Sequence, residues 1–143
     1  MAKPHIHALS SVRSFGGVEE DYLPIHEFLD SSKAIVADNR HRAFTHNSWF
    51  INTVIPRVFG MTITNSDGKV VSTCLIAEQH VLEDYGKRFI PSAQDFLEEM
   101  GLPNWIQNGF GLPPSVRVFR ERTTSKENNE KQPLQIIRPK IQD

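Results

Sequence analysis

Pro24-Ile25-His26-Glu27-Phe28-Leu29-Asp30-Ser31-Ser32-Lys33-Ala34-Ile35-Val36-Ala37-Asp38-Asn39-Arg40-His41-Arg42-Ala43-Phe44 carries the strongest helical periodicity in this chain. Ile25, Phe28, Leu29, Ile35, Val36 and Ala43 fall within one arc of a helical wheel. The spacing therefore predicts a long amphipathic helix with that arc on the core, with room for a break near Asp38-Asn39. His26, Asp30, Lys33 and His41 form a polar strip beside the arc, and Asp38, Arg42 and His46 form a second at i, i+4, i+8. Glu19, Glu20 and Asp21 stand just upstream, where acidic groups complement a helix dipole, and Pro24 suits a first turn.

Working outward, residues 5–13 read as a short helix stopped by Gly16-Gly17, a pair that enters a turn without steric cost. Residues 47–59 read as a second, buried helix interrupted by Pro56. Two β-branched runs, 61–64 and 69–73, flank Asn65-Ser66-Asp67-Gly68 and predict a β-hairpin. Cys74 then falls at the end of a strand. Ala77 to Tyr85 reads as a helix closed by Gly86. Ser92 and Asp95 approximate a capping box for a helix running to Met100. Val116 to Phe119 reads as one last strand.

The fold expected from these elements is α+β and mainly α: a long central helix packed with further helices, plus one β-hairpin. The expected globular domain spans residues 1–120. Residues 121–143 contain nine charged residues and no aromatic, too little apolar surface to offset ordering entropy, and are expected to be a disordered tail. Leu134-Gln135-Ile136-Ile137 is an apolar island within it.

Composition narrows the function classes. A net charge of -1 predicts no general attraction to nucleic acid or to an anionic membrane. A single cysteine excludes an internal disulfide and any paired-cysteine zinc motif. The N-terminal residues lack a secretory pattern, and no apolar run approaches the roughly 20 residues needed to span a bilayer. A cytoplasmic setting is expected. Phosphate loops, nucleophile elbows and the His-Glu-x-x-His zinc motif are absent.

All six histidines lie in the first 80 residues, several beside carboxylates at helical spacing. His26 precedes Asp30 by four residues, and His80 precedes Asp84 by four. Side chains at i and i+4 can bridge one metal ion. His26, Asp30, His46 and His80 are therefore the candidate ligands of a divalent cation, and nitrogen and oxygen donors suit zinc, iron or manganese. The alternative is a set of hydrogen-bonded histidines at the core edge. Lys33, Arg40 and Arg42 bring positive charge nearby and are candidate phosphate contacts. The alternative is that Lys33 and Arg42 pair with Asp30 and Asp38 on the surface. His41 is the candidate acid or base, with Lys33 and Asp84 completing the catalytic set. His5 and His7 share one side if extended and diverge if helical. Ser10 and Ser11 behind them could hydrogen-bond phosphate.

Ordered motifs along residues 5–100 carry a resemblance: His7-Ala8, Ser10-Ser11, Phe15-Gly16-Gly17, Asp21-Tyr22 with His26, Asp30-Ser31-Ser32-Lys33, Arg40-His41-Arg42-Ala43 with His46, the Asp67-Gly68 turn, and Glu78-Gln79-His80-Val81 with Glu83-Asp84-Tyr85-Gly86. Together they resemble an uncharacterised family of small phage and bacterial proteins. The resemblance implies a phage or bacterial cytosolic setting and no particular activity. The helical His/Asp pairs are also similar in site type to His-Asp phosphohydrolases, although the adjacent His-Asp dipeptide of that superfamily is missing.

The leading expectation is a metal-dependent hydrolase of a nucleotide or other phosphate ester, so its partner is a small phosphate-containing ligand. The rivals are a non-enzymatic binder of a nucleotide or host protein, and a small assembly protein, a homo-oligomer included, whose histidines bridge subunits.

Overall fold

The computed structural model describes residues 2–118, in two compact units divided at Gly101. The tail expected at 121–143, with its apolar island, lies outside the described residues. The first unit is mainly helical with one two-stranded antiparallel hairpin. Among the described residues no helix is long and apolar enough to cross a membrane.

Helix α1 (Pro4–Phe15) and helix α2 (Glu19–Asp30) pack against each other across the Gly16-Gly17 turn. Both glycines have φ near +80°, at 82° and 74°, a region that penalises any side chain. α2 begins earlier than its proline suggested. Glu19, Glu20 and Asp21 fill its first turn, and Pro24 lies inside the helix. Ile25 and Leu29 face the core together with Tyr22.

The long central helix is not continuous. α2 ends at Asp30, and two 3-10 turns (Ser31–Ala34 and Asn39–His41) lead to the short α3 (Arg42–Thr45). Competing side-chain acceptors and donors account for the stop. The Ser31 hydroxyl donates to Phe28 O at 2.6 Å, and the Thr45 hydroxyl donates to Leu29 O at 2.6 Å. In a continuing helix that Leu29 carbonyl would receive the Lys33 N–H. Ile35, assigned to the core arc by periodicity, is 77% exposed as a result.

A helical stretch over residues 48–59 follows, with a π-helical turn at Phe50–Val54 before α4 (Ile55–Phe59). Pro56 has no N–H to give to an i−4 carbonyl, and a wider turn just ahead of it absorbs the defect. Phe50, Ile51 and Ile55 are buried, whereas Trp49 and Val58 are exposed. Strands β1 (Thr62–Thr64) and β2 (Val70–Ser72) pair in the register Ile63 to Val71. Cys74 is helical, not in a strand: Ser72 caps α5 (Thr73–Asp84), and its hydroxyl accepts from Leu75 N. Helix α6 (Ala93–Met100) starts at the expected capping box, with Ser92 and Asp95 exchanging backbone-to-side-chain hydrogen bonds.

The core joins Ala8 of α1, Ile25 and Leu29 of α2, Phe50, Ile51 and Ile55, Val71, and Ile76, Ala77 and Val81 of α5. α1, α2 and α5 pack against one another pairwise. Each presents an i, i+4 polar pair to the shared interior: His7 and Ser11, His26 and Asp30, His80 and Asp84.

The second unit, as described, contains α7 (Asn104–Asn108) and a helical turn at residues 114–118. Val116 N and Arg117 N both donate to Pro113 O, so residues 116–118 of the stretch read as a strand are helical, and Phe119 lies outside the described residues.

Candidate metal centre

Five imidazoles, from His7, His26, His41, His46 and His80, are buried. His5, two residues and about 200° of helical rotation from His7, is exposed, as divergence along a helix requires. Four donor atoms, one each from Asp30, His46, His80 and Asp84, lie within 4.8 Å of one another. His46 Nε2 is 2.9 Å from Asp84 Oδ2 and 3.7 Å from Asp30 Oδ1. His80 Nε2 is 3.4 Å from Asp30 Oδ1 and 3.5 Å from Asp84 Oδ2.

These separations fit a bound cation. Metal–ligand bonds of about 2.0–2.1 Å in a tetrahedral site give ligand-to-ligand edges of about 3.4 Å. The four measured edges bracket that length. Bonding capacity points the same way. Asp30 Oδ1 and His80 Nε2 are buried and have no hydrogen-bond partner among the described residues. A buried polar atom without a partner costs about 1–3 kcal/mol, so leftover capacity of this kind calls for a ligand.

The surroundings fix how the rings stand. The Thr45 hydroxyl spends its proton on Leu29 O, and its oxygen lies 2.8 Å from His46 Nδ1. It therefore accepts from Nδ1–H, and His46 Nε2 is left as a lone pair facing Asp84 Oδ2. Two acceptors at 2.9 Å need a positive charge between them, either a proton or a metal ion. Behind His80, His26 Nδ1 stands 2.9 Å from His80 Nδ1.

Charge in the metal-free centre is governed by burial against pairing. Burial pushes the His26 ring down to about 3, and the neighbouring His80 and His7 rings act in the same direction. Burial also brings His46 down to about 4, outweighing its hydrogen bond to Asp84. For Asp30 burial acts upward, but His80 and Lys33 prevail and hold the carboxyl at about 2. Asp84 is likewise pushed up by burial and drawn further down by hydrogen bonds to His46, His7 and His80, well below the usual carboxylate range. His7 is raised, because Asp84 and Glu83 together outweigh its burial.

The structure brings together three of the four ligands expected from sequence: Asp30, His46 and His80. His26 stands behind His80 with both nitrogens engaged, so it offers no lone pair to the centre. Asp84, read as catalytic, takes the fourth place. The i, i+4 rule placed His26 and Asp30 on one helix face but could not tell which pair member reaches the centre and which stops one ring short.

Lys33 Nζ lies 2.9 Å from Asp30 Oδ2, a close ion contact whose alignment falls short of a hydrogen bond. The lysine thus sits on a ligand carboxylate. Arg40 is on the surface, and Asp38 occupies its guanidinium at 2.8 Å, so the surface partner of Asp38 is Arg40 and not the Arg42 expected from sequence. Arg42 lays its guanidinium over the Tyr85 ring at 4.9 Å, and its Nε is buried without a partner among the described residues. Both arginines line a cleft of about 670 Å³ together with Tyr85 and Phe96. His41 is fully buried, lies with its ring centre 5.0 Å from that of His46, and is lowered first by burial and then by Lys33. Its Nδ1 is 2.9 Å from Ser32 Oγ, and its Nε2 has no partner among the described residues.

Sequence reasoning left the roles of several groups open. His7 lies 3.4 Å from Asp84 Oδ1 through Nε2 and 2.7 Å from Glu83 through Nδ1. Its signal was the His7–Ser11 spacing, legible only once residues 5–13 are taken as a helix. Ser11 is buried against His26, so it is no surface phosphate contact, and the Ser10 hydroxyl accepts from Arg13. Thr45 and Ser32 carried no signal of their own.

Fold and site together define a small, mainly helical protein with a buried His/Asp centre. The chain belongs to the family described as a domain of unknown function, DUF6915, whose model matches residues 2–106. Neither the curated proteins nor the solved structures contain a match to it.

Proposed function

We propose that this protein is a metal-dependent hydrolase of a nucleotide or other phosphate ester, with its divalent cation held by Asp30, His46, His80 and Asp84. The observation that carries the reading is the convergence of four buried donor atoms, two of them without hydrogen-bond partners among the described residues. Two carboxylates and two neutral imidazoles balance the charge of a divalent ion, which a buried site favours. Such a cation supplies Lewis acidity and lowers the pKa of water towards neutrality. Arg42 lines the cleft and keeps a buried Nε without a partner among the described residues, and a guanidinium suits phosphate oxygens. His41 offers a free nitrogen beside His46.

A second reading is favoured by exposure. The side chains of His46 and His80 are fully buried, and those of Asp30 and Asp84 are 6% and 4% exposed. Structural metal sites are closed in this way, whereas catalytic sites keep a position open.

Metal analysis by mass spectrometry on tag-free protein tests both, with wild type beside His46→Ala and His80→Ala. Near-stoichiometric zinc, iron or manganese is expected in wild type and should be lost in both variants. Phosphate release from a panel of nucleotides and phosphate monoesters is expected of the metal-loaded protein. Metal without phosphate release would refute the hydrolase and leave the structural centre. No metal after reconstitution would remove the centre altogether.

A further inference from the structure

A continuous string of hydrogen bonds leaves the centre through His80, and its proton order can be worked out from its far end. Gln79 Nε2 lies 2.7 Å from Glu83 Oε1, a carboxylate that only accepts, so the amide nitrogen faces Glu83. The amide oxygen Oε1 therefore faces Ser11 Oγ, at 2.8 Å. The other acceptor near Ser11 is the His7 carbonyl, at 3.2 Å. Both can only accept, so the single Ser11 proton goes to one of them. Ser11 Oγ must then accept from His26 Nε2, which stands 2.8 Å away. His26 is fully buried and neither of its hydrogen-bond partners, Ser11 and His80, is a carboxylate, so nothing offsets the cost of a charge on the ring: it is neutral, and its Nδ1 is a lone pair. That lone pair receives the proton on His80 Nδ1 across 2.9 Å. His80 Nε2 is left bare, and it is the nitrogen that faces Asp30 and Asp84.

We propose that His26 is a positioning residue: through Ser11 and Gln79 it locks His80 in the tautomer whose Nε2 lone pair points into the centre. This rests on reading the centre as a cation site. Metal-bound histidines commonly give their second N–H to a carboxylate, a backbone carbonyl or water. Here the acceptor is a neutral ring backed by a hydroxyl and an amide. An uncharged acceptor adds nothing to the two carboxylates already present, so the set stays matched to a divalent ion. A ligand role for His26 would instead require one of its two engaged nitrogens to leave its partner.

The test has two parts. Long-range proton–nitrogen spectra of the full-length, metal-free, labelled wild type report the tautomer of each ring. The expected result is a proton on His80 Nδ1 and on His26 Nε2, and a His80 carrying its proton on Nε2 would overturn the proposal. This part needs no variant and stands even if substitutions impair folding. The second part is zinc affinity, by competition with a chromophoric chelator, and the cobalt absorption spectrum of wild type and His26→Leu. Zinc affinity should fall by about 10–100-fold in His26→Leu, while the cobalt band shape is retained because the ligands are unchanged. An altered band shape would make His26 a ligand, and unchanged zinc affinity would leave it without a role; either overturns the proposal. Wild type that takes no zinc, with tautomers as stated, overturns the cation reading of the centre. Zinc bound with the tautomers reversed overturns the positioning alone.

Discussion

Two polar clusters sit in the first unit of this protein, and they differ in what they leave unspent. One is the centre formed by α1, α2 and α5 with His46. The other is a clamp where the Gly16-Gly17 turn meets the hairpin turn. In the clamp, Asn65 Nδ2 donates to Phe15 O and to the Tyr22 hydroxyl, while Asn65 Oδ1 accepts from Asp67 N and Lys69 N. Asp67 takes the Gly17 N–H, and Asp21 takes the Val18 and Ser66 N–H groups. Every one of those groups finds its partner within the cluster. In the centre, His7 Nε2, Asp30 Oδ1 and His80 Nε2 are buried and have no hydrogen-bond partner among the described residues. A satisfied network holds a fold together, whereas a buried network with capacity left over is built for something else.

The largest expected effect breaks the comparison directly. Zinc at about 1,000 times its dissociation constant should raise unfolding stability by about 4.1 kcal/mol. Thermal melts with and without zinc, and with chelator, measure it. Asp84→Ala should abolish the zinc-dependent rise. If zinc leaves the melting temperature unchanged in wild type, the centre is only another hydrogen-bonded cluster, and the contrast with the clamp collapses.

How much of this was legible beforehand follows from the kind of signal each residue carries. Hairpin, capping box and the Gly16-Gly17 stop are local chemistry, and each appears where the sequence puts it. The His80–Asp84 pair is local too, since one α-helical turn sets its spacing. The continuous helix from Pro24 failed because tertiary hydrogen bonds decided it. Thr45, sixteen residues further on, occupies the Leu29 carbonyl, a contact that helical periodicity does not encode. The same limit explains His26. Its helix face was readable, but its place behind His80 depends on Ser11 of another helix. Arg40 shows the opposite failure, in which a suggestive cation is satisfied by a carboxylate two residues away.

Asn65→Ala sharpens the comparison from the clamp side. The residue is 4% exposed and makes four hydrogen bonds joining α1, α2 and the hairpin turn. At about 1 kcal/mol net for each bond, its loss should cost roughly 2–4 kcal/mol in chemical denaturation. Zinc stoichiometry should not change. A variant that folds well but loses zinc would show that the two clusters are one system.

Gly17→Ala should cost less, about 1–2 kcal/mol, because φ is +74° and a side chain in the left-handed region carries a penalty of that size. The added Cβ would also come within 3.0 Å of the Asn65 Cβ and crowd Asp21. Denaturation midpoints measure the cost. A neutral result would mean that the turn relaxes, and that the clamp does not hold it as tightly as its hydrogen bonds suggest.

The smallest effect is a matter of pH and isolates Asp21. Its carboxylate accepts from the Ser66 N–H first, then from the Val18 N–H and the Ser66 hydroxyl, and these hold its pKa below the ordinary 3.8. The folded state therefore favours the ionised form. That contribution is fully present above 3.8 and is lost as the pH falls through the lower folded value. Asp21 is only half-buried and its hydrogen bonds to Ser66 lie at the surface, so solvent screens it and the effect is small. Asp21→Asn keeps an acceptor but removes the charge, and its melting temperature should depend less steeply on pH than wild type in the acid range. The difference between the two proteins should shrink as the acid limit is approached, because wild type is then protonated as well. Parallel curves would mean that Asp21 acts through shape alone. The stability of the clamp would then owe nothing to the Asp21 charge, and the acid dependence of the protein would come from other carboxylates, those of the centre and Asp38 beside Arg40 among them.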